Sequence, residues 1–203
     1  MKKESNRLLN LVKFIARIYF KTFHDFKVEG LENIPKEGAL LIASNHLSNA
    51  DPPAIGAFAG LIRDSRFVAK KELFAIPLLG WFFRHCNYIP VDRGRQIGDF
   101  GALKEVVSAL ERQESVIMFP EGTRSKTGQP QKPKSGIGFL VYKTGVPVLP
   151  VRIQGTFGWP WVRKIRIKFG TVIHLQREEN IEPKMQYKQF ANKIMEAINS
   201  INI

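Results

Sequence analysis

The residues LLIASNHLSNADPP, at positions 40–53, join a short apolar run to a polar loop and a pair of prolines. The first four residues are apolar throughout, which is typical of a strand that is buried on both faces of a sheet. Asp51 stands directly before Pro52 and Pro53, and this order predicts the N-cap of a helix with proline at its first helical position. The stretch therefore predicts a buried strand, a polar loop and a helix in succession.

The rest of the chain repeats this alternation of apolar runs and helical patterns. Further strands are predicted at 116–119, 146–153 and 164–169. Two sets of apolar residues recur at helical spacing and predict a crossover helix and a closing helix. They are Ile97, Phe100, Leu103, Val107 and Leu110 in the first set, and Phe190, Ile194, Ile198 and Ile201 in the second. We therefore predict an α/β fold in which helices flank a mixed, largely parallel sheet.

The composition of the 203-residue chain limits the classes of protein to which it can belong. Its length fits one domain, and a hydrophobic share of 44% excludes wholesale disorder. Cys86 is the single cysteine, which excludes an intramolecular disulfide and a thiolate zinc cluster and fits a reducing, cytoplasm-facing compartment. Lys and Arg number 31 against 18 Asp and Glu, so the formal net charge of +13 predicts an anionic partner such as nucleic acid, a membrane surface or a phosphorylated substrate.

The N-terminal segment has the pattern of an amphipathic helix. Cations at positions 13, 17 and 21 interrupt it, so it fits neither a signal peptide nor a membrane-spanning helix of about 18 apolar residues. On a helical wheel, the polar arc contains Arg7, Asn10, Lys13, Arg17, Lys21, His24 and Asp25, with Phe14 as the apolar exception. The opposite arc, with Thr22 as its polar exception, contains Leu8, Leu9, Leu11, Val12, Ile15, Ile18, Tyr19, Phe20, Phe23 and Phe26.

A helix with basic flanks and so wide an apolar face suits the interface of a membrane, with its cations toward lipid phosphates. The alternative is a helix packed on the core of its own domain. We predict a membrane-association helix at residues 1–27 and a globular domain at residues 28–203.

A histidine and an aspartate follow the first predicted strand. His46 and Asp51 are five positions apart, a spacing that would separate their side chains by about 140° on one continuous helix. A turn between them would allow the carboxylate to accept a hydrogen bond from one ring nitrogen, which leaves the other nitrogen free as a base. The alternative is that His46 only caps the strand and Asp51 only caps the helix.

A second polar motif, FPEGTRS at 119–125, follows the strand predicted at 116–119. Ligands of open α/β sheets bind outside the carboxyl ends of the strands, so the two motifs are expected to meet in one crevice. Arg124 offers planar donors that suit a phosphate, and Gly122 allows a close approach of the backbone. An ion pair between Glu121 and Arg124 is the alternative.

Two further blocks complete the series. YIPVDR at 88–93 places Arg93 at the end of another short apolar run, and VPVLPV at 146–151 is apolar and stiff. The latter suits the lining of an apolar channel, although a plain strand would have the same sequence.

In this order, the four blocks resemble those of the lysophosphatidic acid acyltransferases, the 1-acyl-sn-glycerol-3-phosphate acyltransferase family with the HxxxxD motif. The resemblance covers residues 28–151. FVAKKEL at 67–73 is also similar to a segment of that family in which a lysine is implicated in phosphate binding, which points to Lys70. The block that corresponds to YIPVDR often opens with a glycine in the family, where this chain has Cys86 and Asn87.

The resemblance implies an acyltransferase domain that moves a fatty acyl group from coenzyme A or acyl carrier protein to the sn-2 hydroxyl of lysophosphatidic acid, giving phosphatidic acid. It implies that His46 is the catalytic base and that Asp51 orients it. A thioester is already activated, so no enzyme nucleophile is needed. The substrate-binding residues that it implies are Lys70, Arg93, Glu121, Gly122, Thr123 and Arg124. No metal or organic cofactor is implied.

The expected partners are these two substrates and a membrane surface with anionic lipids, and the expected location is the cytoplasmic face of the cell membrane, as a peripheral or monotopic protein. Lys164, Arg166 and Lys168 alternate with apolar residues, so the strand predicted there would present three cations on one face. Such a face, beside aromatic residues at 157, 159 and 161, suits anionic headgroups. A solvated basic edge strand is the alternative.

Two other functions are compatible with parts of the sequence. A related acyltransferase that uses glycerol 3-phosphate, dihydroxyacetone phosphate or another lysophospholipid would carry the same motifs. The positive charge would also permit a nucleic-acid-binding module. We do not expect nucleic acid as a partner, because the sequence has no helix-turn-helix or RNA-recognition signature and such a module would leave the His46 and Asp51 pair without a role.

Overall fold

The computed structural model describes residues 7–92 and 103–203, which form a seven-stranded sheet with helices on both of its faces. The strands are β1 (Asp25–Glu29), β2 (Leu40–Ser44), β3 (Arg66–Lys70), β4 (Ile89–Val91), β5 (Ser115–Met118), β6 (Val148–Gln154) and β7 (Lys164–Phe169). The α-helices are α1 (Arg7–Phe23), α2 (Asp51–Ala59), α3 (Pro77–His85), α4 (Lys104–Glu111), α5 (Ser135–Thr144) and α6 (Pro183–Ser200). Short 3₁₀ helices lie at Leu31–Asn33 and Lys71–Ala75.

The sheet has the strand order β1, β7, β6, β2, β5, β3, β4. Every neighbouring pair is parallel except β6 with β7, so the predicted mixed, largely parallel α/β sheet is confirmed. β2 lies at the centre, between β5 and β6, and all five of its residues are buried, as its apolar run predicts. Because these three strands are parallel, their carboxyl ends meet at one edge of the sheet.

The alternation of side chains along β2 divides the core between the two faces of the sheet. Leu41 and Ala43 pack in one cluster with residues of α4, α5 and α6. Leu40 and Ile42 pack in a second cluster with residues of α2 and with Phe20 of α1. The strand that carries the first polar motif is therefore fixed by apolar packing on both sides.

Both predicted helices are present, although their bounds differ from the prediction. The crossover helix is α4, and its predicted members Ile97 and Phe100 lie outside the described residues. The closing helix is α6, which ends at Ser200, one residue before the predicted Ile201.

β7 shows the predicted alternation, with Lys164, Arg166 and Lys168 opposite its buried apolar residues. It is not an edge strand, because β1 pairs with it on the outer side. Asp25 and Glu29 of β1 form ion pairs with Arg166 at 2.7 Å and with Lys168 at 3.5 Å. The alternative of a basic edge strand is therefore wrong, and acidic neighbours offset part of the basic face.

Helix α1 packs against α2 through the cationic arc of its wheel. Lys13 is buried and forms an ion pair with Asp64, and the Arg17 guanidinium donates to the backbone oxygen of Ala57 at 2.8 Å. These cations therefore lie at the C-terminal end of α2, where unpaired carbonyl groups carry partial negative charge. The expectation that Lys13 and Arg17 face lipid phosphates is wrong for this reason.

The outer side of α1 is apolar and exposed. Leu11, Ile15 and Ile18 of the apolar arc expose 49–56% of their surface, as does Phe14 of the polar arc, so the apolar arc is covered only in part by the protein. Within the described ranges, none of the helices has both the length and the apolar character that a membrane crossing requires. The interfacial position of the N-terminal segment and the division of the chain after residue 27 stay predictions.

Candidate active site

The structure brings His46 and Asp51 together at the carboxyl end of β2. His46 lies two residues beyond the strand, and Asp51 is the first residue of α2. The loop between them turns back, and Nδ1 of His46 lies 2.8 Å from Oδ2 of Asp51. A turn therefore joins two side chains that a continuous helix would hold apart.

The Asp51 side chain is fully buried and accepts several hydrogen bonds. Oδ2 accepts from the backbone N–H groups of Leu47 and Ser48, at 2.6 and 2.8 Å, and Oδ1 accepts from the Thr156 hydroxyl at 2.6 Å. The carboxylate thus accepts from backbone N–H groups of the loop before α2. The N-cap of α2 is Ala50, so the prediction that Asp51 is the N-cap is wrong. An ionised carboxylate only accepts, so Nδ1 of His46 is assigned as the donor and Nε2 keeps its lone pair.

Phe119 fixes the plane of the His46 ring. The two rings stack with 4.0 Å between their centroids and 18° between their planes. The backbone oxygen of His46 also accepts from the N–H of Ser125 at 2.8 Å. Residues that follow β5 therefore hold both the ring and the backbone of His46.

His46 lines a cleft of about 730 Å³ that lies between α1, α2, α3 and β3. Its apolar lining includes Leu9, Val12, Phe67, Leu73, Phe82, Phe83 and Tyr88, and its polar lining includes Asn49, Lys70, Thr123 and Arg124. One cleft therefore combines an imidazole, the three cations Lys13, Lys70 and Arg124, and an extended apolar wall.

The two described cations of the predicted phosphate site both border this cleft. Arg124 is exposed, and its Nη1 donates to Oδ1 of Asn49 at 2.8 Å. Lys70 exposes half of its side chain, and its Nζ lies 3.3 Å from Oε1 of Glu72. Arg124 thus contacts Asn49 rather than Glu121, so the alternative of an ion pair between Glu121 and Arg124 is wrong. Arg93 lies outside the described residues.

Glu121 lies behind the wall of the cleft, with only 1% of its surface exposed. Burial raises the pKa of its carboxyl to about 6, and the charge of Asp51 adds to this, whereas the backbone N–H groups of Gln131 and His46 lower the pKa. Oε1 accepts from the N–H of Gln131 at 3.4 Å, and Oε2 has no hydrogen-bond partner in the described part of the chain. The structure does not place this side chain where it contacts a ligand in the cleft.

Gly122 and Thr123 differ in position. The N–H of Gly122 donates to the backbone oxygen of Phe119 at 3.0 Å, and a Cβ on Gly122 would come within 2.9 Å of Cδ of Lys134. Its φ of +70° also favours glycine. Gly122 therefore shapes the turn, whereas Thr123 borders the cleft.

Several residues to which the sequence analysis gave no role hold the site together. The Asn45 side chain forms two hydrogen bonds of 2.9 Å with the backbone of Ile153, which ties the first motif to β6. Asn49 accepts the hydrogen bond of Arg124, and Thr156 donates a hydrogen bond to Asp51. Thr156 follows the carboxyl end of β6. Ligands of open α/β sheets bind at this edge, and this rule could have drawn attention to Thr156 in the sequence. Among the described residues, no group of three His, Cys, Asp or Glu side chains is arranged to hold a metal ion.

A family model described as Acyltransferase matches residues 25–154, more than half of the chain, and this range contains His46, Asp51 and Arg124. The fold and this match therefore place the chain in the acyltransferase class of proteins.

Individual relatives narrow this class. The chain is 34% identical over 147 residues to the 1-acyl-sn-glycerol-3-phosphate acyltransferase LPAT1, chloroplastic, of Arabidopsis thaliana. The aligned residues cover 72% of this chain and 40% of that relative. It is 29% identical over 160 residues to the 1-acyl-sn-glycerol-3-phosphate acyltransferase of Pseudomonas aeruginosa. Here the aligned residues cover 75% of this chain and 61% of that relative. The chain thus spans less than two thirds of the length of these curated relatives.

A solved structure covers more of the chain. The crystal structure of the 1-acyl-sn-glycerophosphate (LPA) acyltransferase, PlsC, from Thermotoga maritima is similar with a TM-score of 0.70 and 30% identity, over 97% of this chain and 81% of that one. The chain belongs to the 1-acyl-sn-glycerol-3-phosphate acyltransferase family.

The buried carboxyl of Glu121 predicts a pH-dependent stability difference between the protein and its E121Q variant. The folded protein keeps this proton up to about pH 6, whereas the unfolded chain releases it near the ordinary pKa of 4.5. The wild type should therefore lose about 2 kcal/mol of unfolding free energy relative to E121Q as the pH rises through this window. Urea denaturation of both proteins at pH 4 and pH 7 measures the change, and a constant difference would contradict the assignment.

Proposed function

We propose that the protein transfers a fatty acyl group from an acyl thioester to the sn-2 hydroxyl of lysophosphatidic acid, giving phosphatidic acid. The observation that carries this proposal is the shared cleft, in which His46 lies with Lys70, Arg124 and an apolar wall. The acceptor needs a base for its hydroxyl, cations for its phosphate and an apolar surface for its chain. The names of the relatives, which are 1-acyl-sn-glycerol-3-phosphate acyltransferases, support the same acceptor.

In the proposed reaction, Nε2 of His46 takes the proton of the acceptor hydroxyl while the hydroxyl oxygen attacks the thioester carbonyl carbon. The tetrahedral intermediate then collapses, the carbon–sulfur bond breaks, and the departing thiolate takes the proton from Nε2. Asp51 keeps Nδ1 protonated and stabilises the imidazolium that forms between these steps. The ester product and the free thiol carry all the atoms of the two substrates.

The cations of the cleft would hold the phosphate of the acceptor and so position its hydroxyl. Arg124 and Lys70 border the cleft with His46, which supports this role. The roles of Arg93 and Glu121 in substrate binding stay predictions from the resemblance. Thr123 is the better donor for the developing oxyanion, because the N–H of Gly122 is already bonded to Phe119.

The acyl donor is coenzyme A or acyl carrier protein in this proposal, and both are anionic partners that suit a chain with a net charge of +13. The apolar wall formed by Leu9, Val12, Phe82 and Phe83 offers a surface for an acyl chain. Glycerol 3-phosphate or another lysophospholipid would use the same base and cations as the acceptor. Membership of an acyltransferase family favours all of these over a nucleic-acid-binding role.

We also propose that the protein is peripheral or monotopic on the cytoplasmic face of the membrane, with residues 1–27 as the membrane-association segment and residues 28–203 as the acyltransferase domain. The exposed apolar side of α1 supports this. Helix α3 lines the cleft through Phe82 and Phe83, and this helix and the residue before it expose Ile76, Leu78 and Trp81 to 46–79% in a segment that also carries the exposed cations Lys71 and Arg84. Two helices that line one cleft and also carry exposed apolar residues would admit a lipid directly from an anionic leaflet.

Replacing His46 with alanine tests the catalytic base. We expect turnover of lysophosphatidic acid to fall by about 10²- to 10⁴-fold, since this is the contribution of a positioned base. H174A is the matched control, because His174 is exposed and lies outside the lining of the cleft. The assay follows phosphatidic acid formation, and thermal unfolding confirms that both variants fold. Wild-type turnover by H46A would exclude His46 as the base.

The R124Q variant tests the phosphate site. We expect the KM for lysophosphatidic acid to rise by about ten-fold, because a charge-assisted hydrogen bond to the phosphate is lost, while the KM for the thioester stays the same. K126Q removes an equal charge from an exposed position two residues away and should leave both constants unchanged. Equal effects of R124Q and K126Q would point to general electrostatics instead of a specific contact.

The double variant I15S/I18S tests the apolar side of α1. Two exposed isoleucines that insert into lipid each contribute on the order of 1 kcal/mol or more, so their loss should lower binding to phosphatidylglycerol-containing vesicles by at least about ten-fold. M185S removes an exposed apolar side chain from α6 and should bind like the wild type. Unchanged sedimentation of I15S/I18S with vesicles would place the membrane contact elsewhere.

A further inference from the structure

Thr156 makes a hydrogen bond to the proposed catalytic pair from a distant part of the chain. It lies two residues beyond β6, and its hydroxyl donates to Oδ1 of Asp51 at 2.6 Å. Thr156 is fully buried, with no exposed surface. A separation of 2.6 Å is in the range of a hydroxyl that donates to an ionised carboxylate. We propose that Thr156 is a positioning residue, which holds Asp51 and through it His46; this inference rests on the proposed function.

The two oxygens of Asp51 are satisfied unequally, and this difference makes the Thr156 hydroxyl important. Oδ2 accepts from Nδ1 of His46 and from the N–H groups of Leu47 and Ser48, all within 2.8 Å. Oδ1 accepts from Thr156 at 2.6 Å, and the Ser48 hydroxyl is its more distant partner at 3.5 Å. Without Thr156, a buried oxygen would lose its short hydrogen bond, which favours rotation or neutralisation of the carboxylate. Either change weakens the hold on His46.

The backbone delivers Thr156 to this position through a tight turn. Gly155 has a φ of +82°, and a Cβ there would lie 1.8 Å from the backbone oxygen of Lys164, at the start of β7. The backbone oxygen of Thr156 also accepts from the N–H of Trp159 at 3.0 Å. These backbone features do not involve the hydroxyl, so a valine of the same shape should leave the turn intact.

Thr156 also lies outside the sequence range by which the family is matched, since that range ends at residue 154. It is separated from Asp51 by 105 positions and reaches it only because β6 is the neighbour of β2. The hydroxyl of Thr156 does not border the cleft, so it acts on the substrate only through Asp51 and His46.

The test compares T156V, which removes the hydroxyl, with T156S, which keeps it. We expect T156V to lower kcat for lysophosphatidic acid by about ten-fold or more while both KM values stay within about two-fold, because substrate contacts are unchanged. T156S should restore kcat to within about three-fold of the wild type. T171V makes the same change at an exposed threonine and should have no effect. In an H46A background, T156V should cause no further loss.

Three results would overturn the inference: wild-type kcat in T156V, equal impairment of T156S and T156V, or a rise in KM without a fall in kcat. Failure of the proposed function is distinguishable, because the wild type would then be inactive with lysophosphatidic acid and either thioester. In that case the proton resonance of Nδ1–H of His46 provides the readout without substrate. It should move upfield in T156V and stay in place in T156S and T171V, and an unchanged resonance in T156V would contradict the role of Thr156.

Discussion

The burial of the Asp51 carboxylate is the constraint on which the rest of the site depends. A carboxylate removed from water is stable only where donors surround it, and here they come from two loops at one edge of the sheet. The loop after β2 supplies His46 and two backbone N–H groups, and the turn after β6 supplies Thr156. Residues after β5 hold the His46 ring by stacking. The central position of β2 between β5 and β6 allows all three to converge.

Helix α2 connects this centre to the segment that we propose for the membrane. Its N-terminal end carries Asp51, where the helix dipole favours a negative charge. Its C-terminal end receives the Arg17 guanidinium on Ala57, with the buried Lys13 nearby, where the dipole favours positive charge. The same cations therefore hold α1 beside the cleft, while its apolar side is exposed. In this account, the protein's own electrostatics orient the apolar side of α1 toward lipid.

The sequence allowed the sheet and the central pair to be predicted because both depend on local patterns. Apolar runs marked the buried strands, and the position of His46 and Asp51 around a turn indicated their contact. The direction of Lys13 was predicted wrongly, because a helical wheel shows which residues share a face but not which partner covers it. The burial of Glu121 and the contact of Thr156 with Asp51 depend on the packing of loops distant in the chain, which no local pattern records.

Nitrogen NMR of the histidine side chains at neutral pH tests the central claim most directly, with the signals of His46 assigned from their absence in H46A. The account predicts that the neutral imidazole of His46 carries its proton on Nδ1, the nitrogen that faces Asp51 at 2.8 Å, and that Nε2 is unprotonated. A proton on Nε2 with an unprotonated Nδ1 would contradict it, because Nε2 could then not act as the base that we propose.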